Sequence, residues 1–152
     1  MEQELDYIER LEDFFSFRTE ILLAYLFGSA SRGRVHPLSD IDIAVLPDED
    51  VFRELDRKAP WGYKASLIGE LTAVLRRNDV DLVLLHQAPP LLVHEVVHSG
   101  RLLFKRDEDT RVDFEVGVHR EYLDTRPLRA IQRFYLYEAI KEDRLGRTGT
   151  EA

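Results

Sequence analysis

The stretch Ile21–Leu46, ILLAYLFGSASRGRVHPLSDIDIAVL, decides the fold. Its first seven residues form a short, nearly continuous apolar run ended by Gly28. Such a run suits a buried strand, although periodicity alone does not separate it from a buried helix. Gly28-Ser29 supplies a tight turn that leaves room for another group to approach the backbone. A helix starting just after it would aim its free N–H groups past the strand end and make an anion site. The Ser29 hydroxyl can donate to a phosphate oxygen there. Arg32 and Arg34 bring positive charge to the same place, with plain surface charge as the alternative for each. His36-Pro37-Leu38-Ser39 breaks the regular structure and leads into a second apolar run, Asp40–Leu46, DIDIAVL.

In an extended strand from residue 40, side chains alternate. Asp40 and Asp42 share one face, and Ile41, Ile43 and Val45 take the other. The Cα atoms of the two acids are then about 6.6 Å apart. Two bare carboxylates about 5 Å apart repel by roughly 3 kcal/mol at an effective dielectric of about 20. A strand gains nothing in stability from that arrangement, unless the pair is a solvated edge. A hard divalent cation between the two reverses the sign, and Mg²⁺ commonly takes one or two carboxylates together with substrate phosphates. A third acid fits the pattern. Asp79–Leu85, DVDLVLL, is another strand-like run, and Asp81 at its start can stand beside the pair if the two strands are neighbours. Transfer chemistry with two metal ions needs such bridging carboxylates, and an extra aspartate can serve as general base on an attacking hydroxyl. A turn residue is the plain reading of Asp81.

Gly28-Ser29, ten intervening residues, and Asp40-x-Asp42 together resemble the signature of the DNA polymerase β-like nucleotidyltransferases. Arg32-Gly33 and Ser39-Asp40-Ile41-Asp42-Ile43-Ala44-Val45 are similar to that family's pattern as well, and Asp81 extends the resemblance to about residue 85. Short chains of this kind resemble the minimal nucleotidyltransferase antitoxins that pair with a HEPN-domain ribonuclease toxin. The segment Tyr122–Leu128 is similar to the tail of those antitoxins. The resemblance implies transfer of AMP from ATP to a tyrosine of the toxin, with Gly28, Ser29 and Arg32 on the nucleotide and Asp40, Asp42 and Asp81 as catalytic residues and Mg²⁺ ligands. It also implies a hetero-oligomer with the toxin. Two other functions stay open: a small-molecule nucleotidyltransferase of the antibiotic-modifying kind, and an antitoxin that acts by binding and occlusion alone.

Outward from this centre, a length of 152 residues bounds the chain to one domain with a real core. There is no cysteine, hence no disulfide framework and no thiolate metal site. No apolar run approaches a membrane span. The start, Met1-Glu2-Gln3-Glu4, lacks an apolar signal core, so the chain is expected in the cytoplasm. The net charge of −8 argues against a nucleic-acid partner and a template-reading polymerase, because phosphate contacts dominate that affinity. It suits a basic protein partner or serves solubility.

The expected fold is α/β, a small mixed sheet flanked by helices with a C-terminal helical pair. Residues 1–106 form the nucleotidyltransferase core, 107–144 the helical appendage and 145–152 a polar, disordered tail. Helices are expected over 4–17, 51–57, 63–77 with Asn78 as its stop, 91–99 ended by Gly100, 111–123 and 126–142, and a short strand over 101–105. In the 111–123 helix, Val112, Val116, His119 and Leu123 or Tyr122 share one side. Trp61, Tyr63 and Lys64 are candidates for the adenine or the acceptor, against packing roles in the core or at its rim. His94-Glu95-Val96-Val97-His98 matches the letters of a zinc-hydrolase helix. A third ligand would have to come from Glu108, Glu115 or His119, and a structural role for this helix is the competing reading.

Overall fold

The apolar run after Glu20 is a strand. In a computed structural model that describes residues 2–28, 40–124, 136 and 138, β1 (Ile21–Phe27) and β2 (Ile41–Pro47) are antiparallel, with Phe27 opposite Asp42. The turn between them from Ser29 to Ser39, including Arg32 and Arg34, lies outside the described residues, as does the 126–142 helix apart from Leu136 and Glu138, which are helical. β3 (Val80–Leu84) adds to β2 in parallel, and β4 (Arg101–Lys105) adds to β1 antiparallel. The sheet order is β3-β2-β1-β4. It is the mixed sheet the sequence implies, flanked among the described residues by α1 (Glu2–Ser16), α2 (Glu49–Lys58), α3 (Tyr63–Leu75), α4 (Pro90–Ser99) and α5 (Glu108–Asp124).

Alternation along the strands divides the core in two. Ile41, Ile43 and Val45 of β2 join Val80, Leu82 and Leu84 of β3 on one face, beneath α1, α2 and α3. Ile8, Leu11 and Phe15 supply the buried stripe of α1 at helical spacing. The opposite face carries Leu23, Tyr25 and Ala44, covered by Val93 and Val96 of α4 and Val118 of α5. Asp42 and Asp81 alternate with residues of the first core, so they belong to the α4–α5 face, at the end where β1 finishes.

Local chemistry sets the helix ends. The Asp48 carboxylate accepts from the N–H groups of Asp50 and Val51 at 3.1 and 3.2 Å and starts α2. Pro90 opens α4 at a position that needs no N–H donor. Gly100 closes it, because a Cβ there would fall 2.2 Å from the Val96 carbonyl oxygen.

Two expectations are corrected. α3 stops at Arg76, in the left-handed conformation with φ 55°, before Asn78 is reached. β2 begins at Ile41, so Asp40 stands one residue ahead of the strand and is exposed. In α5, Val112, Val116, His119 and Leu123 share one side as expected, and it is the exposed one, while Arg111, Phe114, Glu115, Val118 and Tyr122 turn inward. The reason is that the inward polar groups are partnered. Tyr25 donates its hydroxyl to Glu115 at 2.9 Å, Arg111 reaches Glu115 at 2.6 Å, and Tyr122 stacks on His94 with ring centroids 3.5 Å apart. Among the described residues no helix is long and apolar enough to cross a membrane.

Candidate active site

Three groups line up across adjacent strands. Gly28 follows the last residue of β1, Phe27, which pairs with Asp42 of β2, and Asp42 pairs with Asp81 of β3. Gly28 is exposed and has φ +71°, a conformation that side chains rarely adopt. A Cβ on it would lie 2.4 Å from Oδ2 of Asp42. Glycine is thus required twice here, for the turn and for the room the Asp42 carboxylate occupies. Ser29, its expected companion on the phosphates, and Arg32 lie outside the described residues.

Asp42 is half-buried, whereas Asp40 and Asp81 are exposed. Burial raises the Asp42 carboxyl from 3.8 to about 6, and the neighbouring charges of Asp81 and Asp40 push it in the same direction. Both of the other aspartates singled out in the sequence therefore act electrostatically on Asp42. Among the described residues no ion pair includes any of the three. The arrangement holds negative charge together next to a glycine turn that opens to the outside, which is the electrostatic complement of a bound cation.

Among the described residues no three His, Asp or Glu side chains converge as a ready-made metal cage. For the aspartates this leaves a partial donor set of the kind Mg²⁺ completes with substrate phosphates and water. For His94-Glu95-Val96-Val97-His98 the described residues bring no third ligand to complete a zinc site. His94 and His98 stack on each other, their rings 5.5 Å apart and 10° from parallel. Two of the three candidate third ligands are engaged elsewhere, Glu115 with Tyr25 and Arg111, and Glu108 with Lys105 and Arg111, and His119 is exposed.

The three candidates near residue 61 separate. Tyr63 is in the first core and donates its hydroxyl to Glu20 at 3.0 Å, so it is not available to a ligand. Trp61 is 89 % exposed. Lys64 lines an open cleft with Val83, Gln87, Ala88, Pro89 and Leu92. That cleft was not legible in the sequence, because its walls come from α3, β3 and the loop into α4.

The family model described as polymerase beta nucleotidyltransferase matches residues 9–109. The protein adenylyltransferase MntA of Shewanella oneidensis is 40 % identical over 90 residues, which cover 59 % of this chain and 58 % of that protein's length. The protein adenylyltransferase MntA of Aphanizomenon flos-aquae is 26 % identical over 110 residues, 71 % of each chain. Among solved structures, a toxin–antitoxin with AMP-PNP aligns over 88 % of this chain and 98 % of its own, at 32 % identity and a TM-score of 0.56. A tri-AMPylated Shewanella oneidensis HEPN toxin in complex with its MNT antitoxin aligns over the same shares, at 27 % identity and a TM-score of 0.53.

Proposed function

Since the chain belongs to the polymerase β nucleotidyltransferase family, we propose that it transfers AMP from ATP to a tyrosine hydroxyl of a cognate HEPN-type toxin and thereby silences the toxin. The single observation that carries the reading is the alignment of Gly28, Asp42 and Asp81 across β1, β2 and β3. The similar proteins named adenylyltransferase, and the similar complexes of antitoxin with toxin, support the choice of donor and acceptor. A reaction that draws on ATP suits the cytoplasm.

In this reading the β- and γ-phosphates rest at the Gly28-Ser29 turn, with Arg32 beside them. Asp42 and Asp40 would hold Mg²⁺, with Asp81 completing the set. The ion supplies charge neutralisation at the phosphoryl oxygens and at the leaving group. The tyrosine oxygen attacks the α-phosphorus, and the bond from that phosphorus to the bridging oxygen of the β-phosphate breaks. Pyrophosphate departs with the bonding pair, and the phenolic proton passes to the Asp81 carboxylate. The chain's own contribution is position and electrostatics. Register fixes the distance between Asp42 and Asp81, and the missing side chain at residue 28 leaves room for the Asp42 carboxylate beside the turn. Residues 1–106 carry this chemistry, and the helical segment beyond them completes the partner surface.

The test is intact-mass spectrometry of the product of the adjacent gene after incubation with this protein, ATP and Mg²⁺. A gain of one or more AMP units with wild-type protein, absent with Asp42→Asn and Asp81→Asn, is the expected result. Equal gain with Asp42→Asn would remove that residue from the mechanism. A stable complex without any gain would replace catalysis by occlusion.

A further inference from the structure

The same register sets the direction from which the acceptor must come. On the reading above, the departing phosphates lie at Gly28, on the β1 side of Asp42. In-line displacement places the entering oxygen opposite the leaving one, and the opposite side is β3, where Asp81 stands in register with Asp42. Among the described residues β3 is the edge of the sheet, so none of their strands bars that approach.

A cleft of about 250 Å³ opens along this edge. Val83 contributes to it from two residues beyond Asp81 on the same strand face, about 6.6 Å along the chain. That distance is about the reach of a tyrosyl side chain. Val83, Ala88, Pro89 and Leu92 give the cleft apolar walls, while Lys64 and Gln87 are exposed and bring N–H donors to it. We propose that this cleft is the acceptor-docking subsite. It takes the ring and the flanking residues of a tyrosine-bearing protein segment, with Lys64 and Gln87 donating to oxygens of that segment. The inference rests on the proposed transfer reaction and extends it by naming the residues that select the acceptor. A nucleobase does not suit the cleft, because a nucleoside lying along β3 would fill the path the entering hydroxyl needs.

Two variants test this without touching Gly28 or the aspartates. Ala88→Trp fills the cleft, and Lys64→Glu reverses a charge at an exposed position where folding is not at stake. With the adjacent-gene product as acceptor, both variants are expected to raise KM for that acceptor about tenfold or more. Their affinity for AMP-PNP with Mg²⁺, measured by calorimetry, is expected to stay within about twofold of wild type. An unchanged acceptor KM in Lys64→Glu and in a folded Ala88→Trp overturns the inference. So does a loss of AMP-PNP affinity with acceptor KM unchanged, which would make the cleft a nucleobase site. If the wild-type protein transfers no AMP, the proposed activity fails separately, and docking is read from complex formation. A tenfold weaker complex with Lys64→Glu then upholds the cleft, and equal affinity overturns it.

Discussion

Glu20 and Asp42 are both carboxylates held against the sheet, and their surroundings differ in kind. Glu20 is 7 % exposed and fully served: the Tyr63 hydroxyl donates to it at 3.0 Å and the Arg18 guanidinium sits 3.2 Å away. Its negative charge in turn helps burial hold the Tyr63 phenol well above its ordinary range. Asp42 is less buried, yet burial and the charges of Asp81 and Asp40 lift it to about 6. The fold is therefore able to satisfy a buried acid, and at Asp42 it gathers further acids instead. A buried charge tolerated for structure is normally paired. The crowding at Asp42 makes sense when the pairing charge arrives with the substrate, and this difference separates a structural carboxylate from a functional one.

The comparison breaks most severely at Gly28. Gly28→Ala adds a methyl group 2.4 Å from the Asp42 carboxylate and forces alanine to φ +71°. Displacing a reacting group by about 1 Å can cost about 100-fold in rate, and the left-handed backbone costs about 1–2 kcal/mol besides. Transfer is expected to fall at least about 100-fold in single-turnover assays. Near-wild-type turnover would mean that the turn and Asp42 do not work together.

Glu20→Ala probes the structural member of the pair. It strands the Tyr63 hydroxyl and removes one of the two acids paired with Arg18, the other being Glu70, a loss of about 1–3 kcal/mol. For a chain of this size the corresponding fall in Tm is about 2–12 °C. AMP transfer measured well below Tm should stay at the wild-type rate, because Tyr63 packs in the first core and the aspartates stand on the opposite face. A rate loss without a fall in Tm would make Glu20 functional and erase the contrast.

The smallest effect has the opposite sign. An acid whose carboxyl rises on folding is more stable folded at low pH, and that advantage is lost as pH climbs from 3.8 through about 6. At pH 8 the ionised Asp42 would cost at most about 3 kcal/mol, and solvent screening of a half-exposed group reduces this to about 1 kcal/mol. Asp42→Asn in the metal-free protein is therefore expected to raise Tm by about 2–4 °C at pH 8 and to leave it unchanged at pH 4. A lower Tm at pH 8 would show Asp42 to be a stabilising residue like Glu20.

Much of this site is legible in the sequence, for identifiable reasons. The apolar runs at residues 21–27, 41–47 and 80–84 are strands because they are short, rich in aliphatic residues and bounded by turn formers. Period two places Asp42 and Asp81 opposite the aliphatic face. The pairing of those two acids depends on which strands become neighbours, and no local pattern contains that. Nor does the sequence tell that the empty space at Gly28 is occupied by Asp42. In α5, apolar side chains are poor guides: Val112 and Val116 face outward while Arg111 and Glu115 turn inward, because Tyr25 offers a hydroxyl that rewards a buried acid. α3 ends at Arg76, an unusual residue for a left-handed cap, whose N–H donates to the Thr72 carbonyl, and no residue type there marks the stop.

The most direct test of the contrast between the two acids is a thermal melt with Mg²⁺ and AMP-PNP, each well above its binding constant, for wild type, Asp42→Asn and Glu20→Ala. Ligand at about 100 times its Kd stabilises the folded state by about 2.7 kcal/mol, so Tm of the wild type and of Glu20→Ala should each rise by about 5 °C or more, and Tm of Asp42→Asn should rise far less. An equal rise in all three proteins would show that Asp42 does not hold the cation, and the crowded carboxylates would need another explanation.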